Sequence, residues 1–95
     1  MGRFMIHIEL HKASSEVYNK LHEVMYNIEA FQVIQDIDTK EFFNLPRSQY
    51  HYIGLIENKE DILDLVRQTI KYVSQDFKIV VTGNDGSAWV GLDKV

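Results

Sequence analysis

Apolar and polar positions alternate strictly from Arg3 to Leu10: Phe4, Ile6, Ile8 and Leu10 fall on one side, Arg3, Met5, His7 and Glu9 on the other. A period of two is that of a strand with one buried face. The period then changes. After a His11-Lys12-Ala13 loop, Ser14 is a good helix N-cap and Glu16 falls in the first turn, where a carboxylate complements the helix dipole. Val17, Leu21, Val24, Met25 and Ile28 follow at helical spacing, which predicts a helix from about Ser15 to Glu29. The apolar, β-branched stretch Phe31 to Ile37 predicts a second strand. Its buried side stays open, because Phe31, Val33 and Ile37 share one parity while Ile34 has the other.

From Asp38 to Arg47 runs a polar and aromatic connection, long for a hairpin loop and closed by the only proline. The strand pattern resumes from Gln49 to Ile56. Asn58 then caps a second helix, with Asp61 at a capping-box-like position and Ile62, Leu65, Val66, Thr69, Ile70 and Val73 as its buried face. Phe77, Ile79 and Val81 alternate with Lys78, Val80 and Thr82 to give a fourth strand. Gly83-Asn84-Asp85-Gly86 is a hairpin signal that returns a short fifth strand, Ser87 to Leu92. Strand, helix, strand, strand, helix, strand is the order of a ferredoxin-like α+β sandwich. Its antiparallel sheet has the first and third strands at the centre, both helices on one face and the other face open. A fifth strand has no slot in that sheet. It either tucks against its own domain or meets a second copy, making a homodimer with Ala88 to Leu92 near the contact.

A chain of 95 residues has room for one domain, 1–95, and one small core. No apolar run approaches the roughly 18 to 20 residues that span a bilayer, and Met-Gly-Arg-Phe-Met leads into a strand pattern without a cleavable signal. The expectation is a cytoplasmic protein with no membrane partner. The absence of cysteine excludes disulfides, thiol nucleophiles and thiolate zinc sites. With 14 acidic residues against 10 basic, the net charge is −4, opposite to that of a protein relying on non-specific attraction to phosphates. A nucleic acid would have to be gripped locally.

No Walker loop, Gly-x-Gly-x-x-Gly, His-Glu-x-x-His or Gly-x-Ser-x-Gly motif is present, so the candidate chemistry rests on histidines and clustered charges. His7 shares the open face with Arg3, Met5 and Glu9. His22 lies beside the apolar stripe of the first helix, one turn from Tyr18 and from Tyr26. His51 stands between Tyr50 and Tyr52: if Ile53 and Leu55 face the helices, His51 points inward and both tyrosines outward, and the reverse is also open. Each histidine taken alone is more often structural or solvated than catalytic. Asp36, Asp38 and Glu41 could offer oxygen ligands to a divalent cation, but a solvated polar loop is the simpler reading and no metal is expected. With the tyrosines outward, an open face carrying Arg3, His7, Tyr50 and Tyr52 would offer RNA bases the kind of stacking surface that ferredoxin-like RNA-binding modules use. Strand tyrosines serve dimer packing equally well, and no RNA-recognition signature of alternating aromatics with a glycine pair is present.

Several segments, in order along the chain, resemble the GhoS antitoxin family of small bacterial ferredoxin-like proteins. They are Val17 to Ile28, ending in Leu21-His22-Glu23-Val24-Met25-Tyr26-Asn27-Ile28; the Leu45-Pro46-Arg47 loop; Glu60-Asp61-Ile62-Leu63-Asp64-Leu65-Val66; and Asp76-Phe77-Lys78-Ile79. The resemblance implies an endoribonuclease that acts as an antitoxin by cutting the messenger of a membrane-lytic toxin rather than by binding the toxin. A basic residue of the family's first helix falls on His22, where the relative has arginine, and a neighbouring basic position falls on Lys20.

Such cleavage needs no cofactor in principle. The 2′-hydroxyl of RNA attacks the adjacent phosphate once a base removes its proton, an acid protonates the leaving oxygen and a cation offsets the developing charge. Histidine suits the first two roles and lysine or arginine the third. His22 with Lys20 at one site, or His7 with Arg3 at another, would supply them, with Arg47 reaching in from the loop. The resemblance ranks His22, Lys20 and Arg47 first; spacing alone does not choose them. The competing class is a non-catalytic dimeric binding or inhibitor module docking on a basic protein through the Asp36, Asp38, Glu41 loop and the acidic stretch Glu57 to Asp64.

Overall fold

A computed structural model describes residues 1–83 and 88–95. The chain folds as strand β1 (Gly2–Leu10), helix α1 (Ser15–Asn27), β2 (Ala30–Phe31), β3 (Val33–Gln35), β4 (Phe42–Asn44), β5 (Gln49–Gly54), α2 (Lys59–Ile70) and β6 (Phe77–Gly83). Four strands form an antiparallel sheet in the order β2-β5-β1-β6, and β3 and β4 pair separately. The expected ferredoxin-like plan is therefore present, its first and third strands, now β1 and β5, at the centre. The insertion of a β3–β4 hairpin between the second and third strands distinguishes it.

The helices begin where the sequence places caps. Ser14 Oγ accepts from the Val17 N–H, and Asn58 Oδ1 accepts from the Glu60 and Asp61 N–H groups at 2.8 and 3.3 Å. Phe4, Ile6, Ile8 and Leu10 of β1 are buried against Leu21 and Met25 of α1 and Ile62, Val66 and Ile70 of α2. Helix α1 stops at Asn27, two residues earlier than expected, where Glu29 turns into the left-handed region at φ 65°. The stretch expected as one strand, Phe31 to Ile37, breaks at Gln32 into β2 and β3, which belong to different sheets. The parity of Ile34 is the buried one: Ala30 and Ile34 share it and are both buried, in separate places because the chain changes sheet between them, whereas Phe31 and Val33 are half-buried and Ile37 is exposed. Gln32 secures the crossing, its carbonyl accepting from the Leu45 N–H at 2.7 Å and its side-chain amide donating to the Arg47 carbonyl at 2.6 Å.

The long connection is a hairpin in its own right. Asp36 Oδ1 accepts from the Asp38 and Thr39 N–H groups, closing a tight turn that ends with Lys40 at φ 65°. The expected turn Gly83-Asn84-Asp85-Gly86 and Ser87 lie largely outside the described residues. The remainder corrects the expectation of a fifth strand at Ser87 to Leu92: residues 88–92 form no strand, and the chain pairs instead at Lys94 with Phe43 of β4. Asn44 N–H donates to the Asp93 carbonyl, Val95 N–H to the Phe42 carbonyl, and Lys94 forms an ion pair with Glu41. Trp89 packs on Phe43 with ring centroids 5.5 Å apart. The C-terminal segment is therefore seated in cis on the β3–β4 hairpin.

Candidate functional site

Both central tyrosines of β5 point toward the helices. Tyr50 and Tyr52 are buried in the core, while Ile53 and Leu55 are exposed and His51 lies on the opposite face. This corrects the reading that put Tyr50 and Tyr52 on the open face with Arg3 and His7 as an RNA-stacking surface. The physical reason is that each hydroxyl finds a partner inside. Tyr52 accepts from the Ile56 N–H at 3.2 Å, and Tyr50 lies 2.6 Å from His22 Nδ1. Burying the large rings therefore leaves no polar group unpaired. Tyr52 also needs Gly54: a Cβ there would stand 2.3 Å from its hydroxyl oxygen.

The contact between Tyr50 and His22 is the centre of a cluster where β1 runs out and β5 begins, beneath the first two turns of α1. Tyr18 and His22 are one turn apart on that helix, with ring centroids 6.4 Å apart; Tyr18 is anchored by the Leu10 N–H, which donates to its hydroxyl at 3.1 Å. Arg47, in the loop before β5, lays its guanidinium over the Tyr18 ring at 4.0 Å from the centroid. The backbone of that loop is held by the Gln32 amide. Arg47 forms no ion pair among the described residues, so its donors remain available to an anion from outside.

Electrostatics set the protonation states. Burial, and then the Arg47 charge, lower the His22 pKa below its ordinary 6.5, so the imidazole is neutral at pH 7. Burial, with Tyr18 adding, pushes the Tyr50 hydroxyl well above its ordinary range and keeps it protonated. A tyrosine hydroxyl can both donate and accept. When it donates to His22 Nδ1, Nε2 carries the proton; when Nδ1–H donates to it, Nε2 has a bare lone pair.

Of the sequence candidates, His22 and Arg47 come together. Lys20 does not: it is exposed on α1, two positions from His22 and so on another side of the helix. Arg3 and His7 lie on the open face as expected, with His51 beside them across the register from Met5. His51 is buried, and burial followed by the Arg3 charge lowers its pKa. Asp36 is committed to its turn and Glu41 to Lys94, and no group of three or more potential metal ligands occurs among the described residues. Tyr18 and Tyr50 are the members the sequence reading did not assign to this site. The spacing of Tyr18 and His22 was a signal for the first; nothing local signals the second, which arrives from a distant strand. Comparison with known proteins finds no family model that matches the chain and no match among curated proteins. No helix among the described residues is long and apolar enough to cross a membrane.

Proposed function

We propose that the chain is an endoribonuclease acting on single-stranded RNA, with His22 as its proton-transfer group and Arg47 as its phosphate-binding group. The observation that carries this reading is a guanidinium without an ion pair among the described residues, held on Tyr18 beside a neutral, hydroxyl-bonded imidazole. In the tautomer with Nδ1–H donating to Tyr50, His22 Nε2 removes the 2′-hydroxyl proton. The 2′-oxygen attacks phosphorus, the bond to the 5′-oxygen breaks, and water protonates that leaving oxygen. Arg47 binds the non-bridging oxygens as charge accumulates on them, and Tyr50 accepts a hydrogen bond from the resulting imidazolium. The products carry a 2′,3′-cyclic phosphate on one side and a 5′-hydroxyl on the other. The resemblance to the GhoS antitoxin family supports the messenger of a toxin as the target.

Incubating purified protein with end-labelled single-stranded RNA, with and without chelator, tests the reading. Cleavage leaving cyclic-phosphate ends is expected, with a rate reduced by about 10² or more in His22→Ala and by a similar factor in Arg47→Ala, each variant still giving a cooperative melt. RNA left whole by the wild-type protein overturns the proposal. The acidic stretch leading into and opening α2 then favours the second reading, a module docking on a basic protein, since Glu57, Glu60, Asp61 and Asp64 are all exposed there.

A further inference from the structure

A cavity of about 400 Å³ lies between the face of the sheet away from the helices and the C-terminal segment. Met5, Ile34, Leu45, Pro46 and Trp89 give it apolar walls, and Gln49 supplies an amide. Its size is that of a small-ligand pocket, and its make-up of apolar surface with one polar group is typical of such sites. Gln49 is half-buried, and its side-chain amide makes no hydrogen bond among the described residues, although its backbone N–H donates to the Pro46 carbonyl. A planar amide offers a donor and an acceptor side by side, the complement of a nucleobase edge, while Trp89 offers a stacking surface.

The pocket and the His22–Arg47 cluster lie on opposite faces of the sheet, joined by the loop before β5, so a strand using both passes around that loop. Leu45, Pro46 and Gln49 face the pocket, and Arg47, between them, lies on Tyr18. We propose that this pocket binds a base of the RNA strand whose phosphate is held by Arg47, so that the enzyme selects its cleavage position by the base that enters. The inference rests on the endoribonuclease reading for its strand. The base pocket itself is read independently of cleavage.

Trp89 is the only tryptophan, so its fluorescence reports on the pocket directly. Titration of the full chain with adenosine and with uridine is expected to quench or shift Trp89 emission, with ribose 5-phosphate giving no change. A short oligonucleotide of the preferred base is expected to bind at least about tenfold more tightly than the nucleoside, because it adds the phosphate contact. Gln49→Leu keeps the volume and removes the amide; it is expected to weaken nucleoside binding about tenfold while its far-UV spectrum and melt stay those of a folded protein. Gln49→Glu, with an acceptor-only side chain, is a second variant expected to change which base is preferred. Two results overturn the pocket: no response to any nucleoside, or equal binding to wild type and both variants. Equal affinity for nucleoside and oligonucleotide overturns the shared strand. Nucleoside binding by a protein that leaves RNA whole would sink the cleavage reading and leave the base pocket standing.

Discussion

Replacing His22 with alanine removes the imidazole and also the partner of the fully buried Tyr50 hydroxyl. An orphaned buried hydroxyl costs about 1–3 kcal/mol, so His22→Ala is expected to lower stability by that order. Adding Tyr50→Phe should recover most of the loss, as read from denaturant midpoints in a double-mutant cycle; activity should not return with it. This separates the chemical role of His22 from its structural one. The histidines also fix the response to acid. His22 and His51 both have folded pKa values lowered from 6.5, so below pH 6.5 the unfolded chain binds protons that the folded chain refuses. Stability is therefore full above that pH and falls as the pH drops through the folded values. Thermal melts at successive pH values should show the loss, and His51→Gln should make it shallower. Cleavage, needing neutral His22, should rise with pH along a limb centred below 6.5 and stay level above it.

At the scale of elements, the two helices are set by their ends as much as by their stripes. Asn58 satisfies two N–H groups of α2, so Asn58→Ala is expected to cost about 1 kcal/mol in unfolding free energy. The end of α1 points the other way. Glu29 occupies the left-handed position where glycine is free of the Cβ penalty, and its carboxylate has no ion pair among the described residues. Glu29→Gly should raise stability by about 0.5–1 kcal/mol, the sign opposite to that of most substitutions; a lower melting temperature would show that Glu29 makes a contribution its geometry does not reveal.

For the whole molecule, the homodimer expected from sequence had its motive in a terminal segment without a slot. That segment pairs with β4 and covers the sheet through Trp89, in cis. Truncation after Thr82 is thus expected to leave the sedimenting mass unchanged and to lower the melting temperature, since it removes Trp89 from Phe43 and the backbone pairing along β4. The outer side of β6 has no strand beside it among the described residues, and Val80 is exposed on the adjoining face. A second copy would add there. Val80→Lys, rather than the truncation, is the change expected to reduce the mass of any dimer measured by sedimentation velocity.

Local patterns determined most of the architecture. The alternation from Arg3 to Leu10, the caps at Ser14 and Asn58 and the stripes behind them each express a periodicity carried by neighbouring residues, and the four-stranded sheet follows from their order. What neighbours could not settle was left to long-range contacts. The parity of β5 turned on whether two tyrosine hydroxyls would find partners: the Ile56 N–H lies close in the chain to Tyr52, but the partner of Tyr50, His22, comes from α1. The second strand split because Gln32 meets the Leu45–Arg47 loop, and the terminal segment found its seat on a hairpin more than 40 residues earlier in the chain. The candidate site shows the same division. Residue type offered four histidines alike, and the resemblance ranked His22, with Lys20 and Arg47, first. Helical spacing already set Lys20 on another side of α1 from His22, whereas the meeting of His22 and Arg47 around Tyr18 and Tyr50 depended on how α1 and the loop before β5 pack, which is a property of the folded chain.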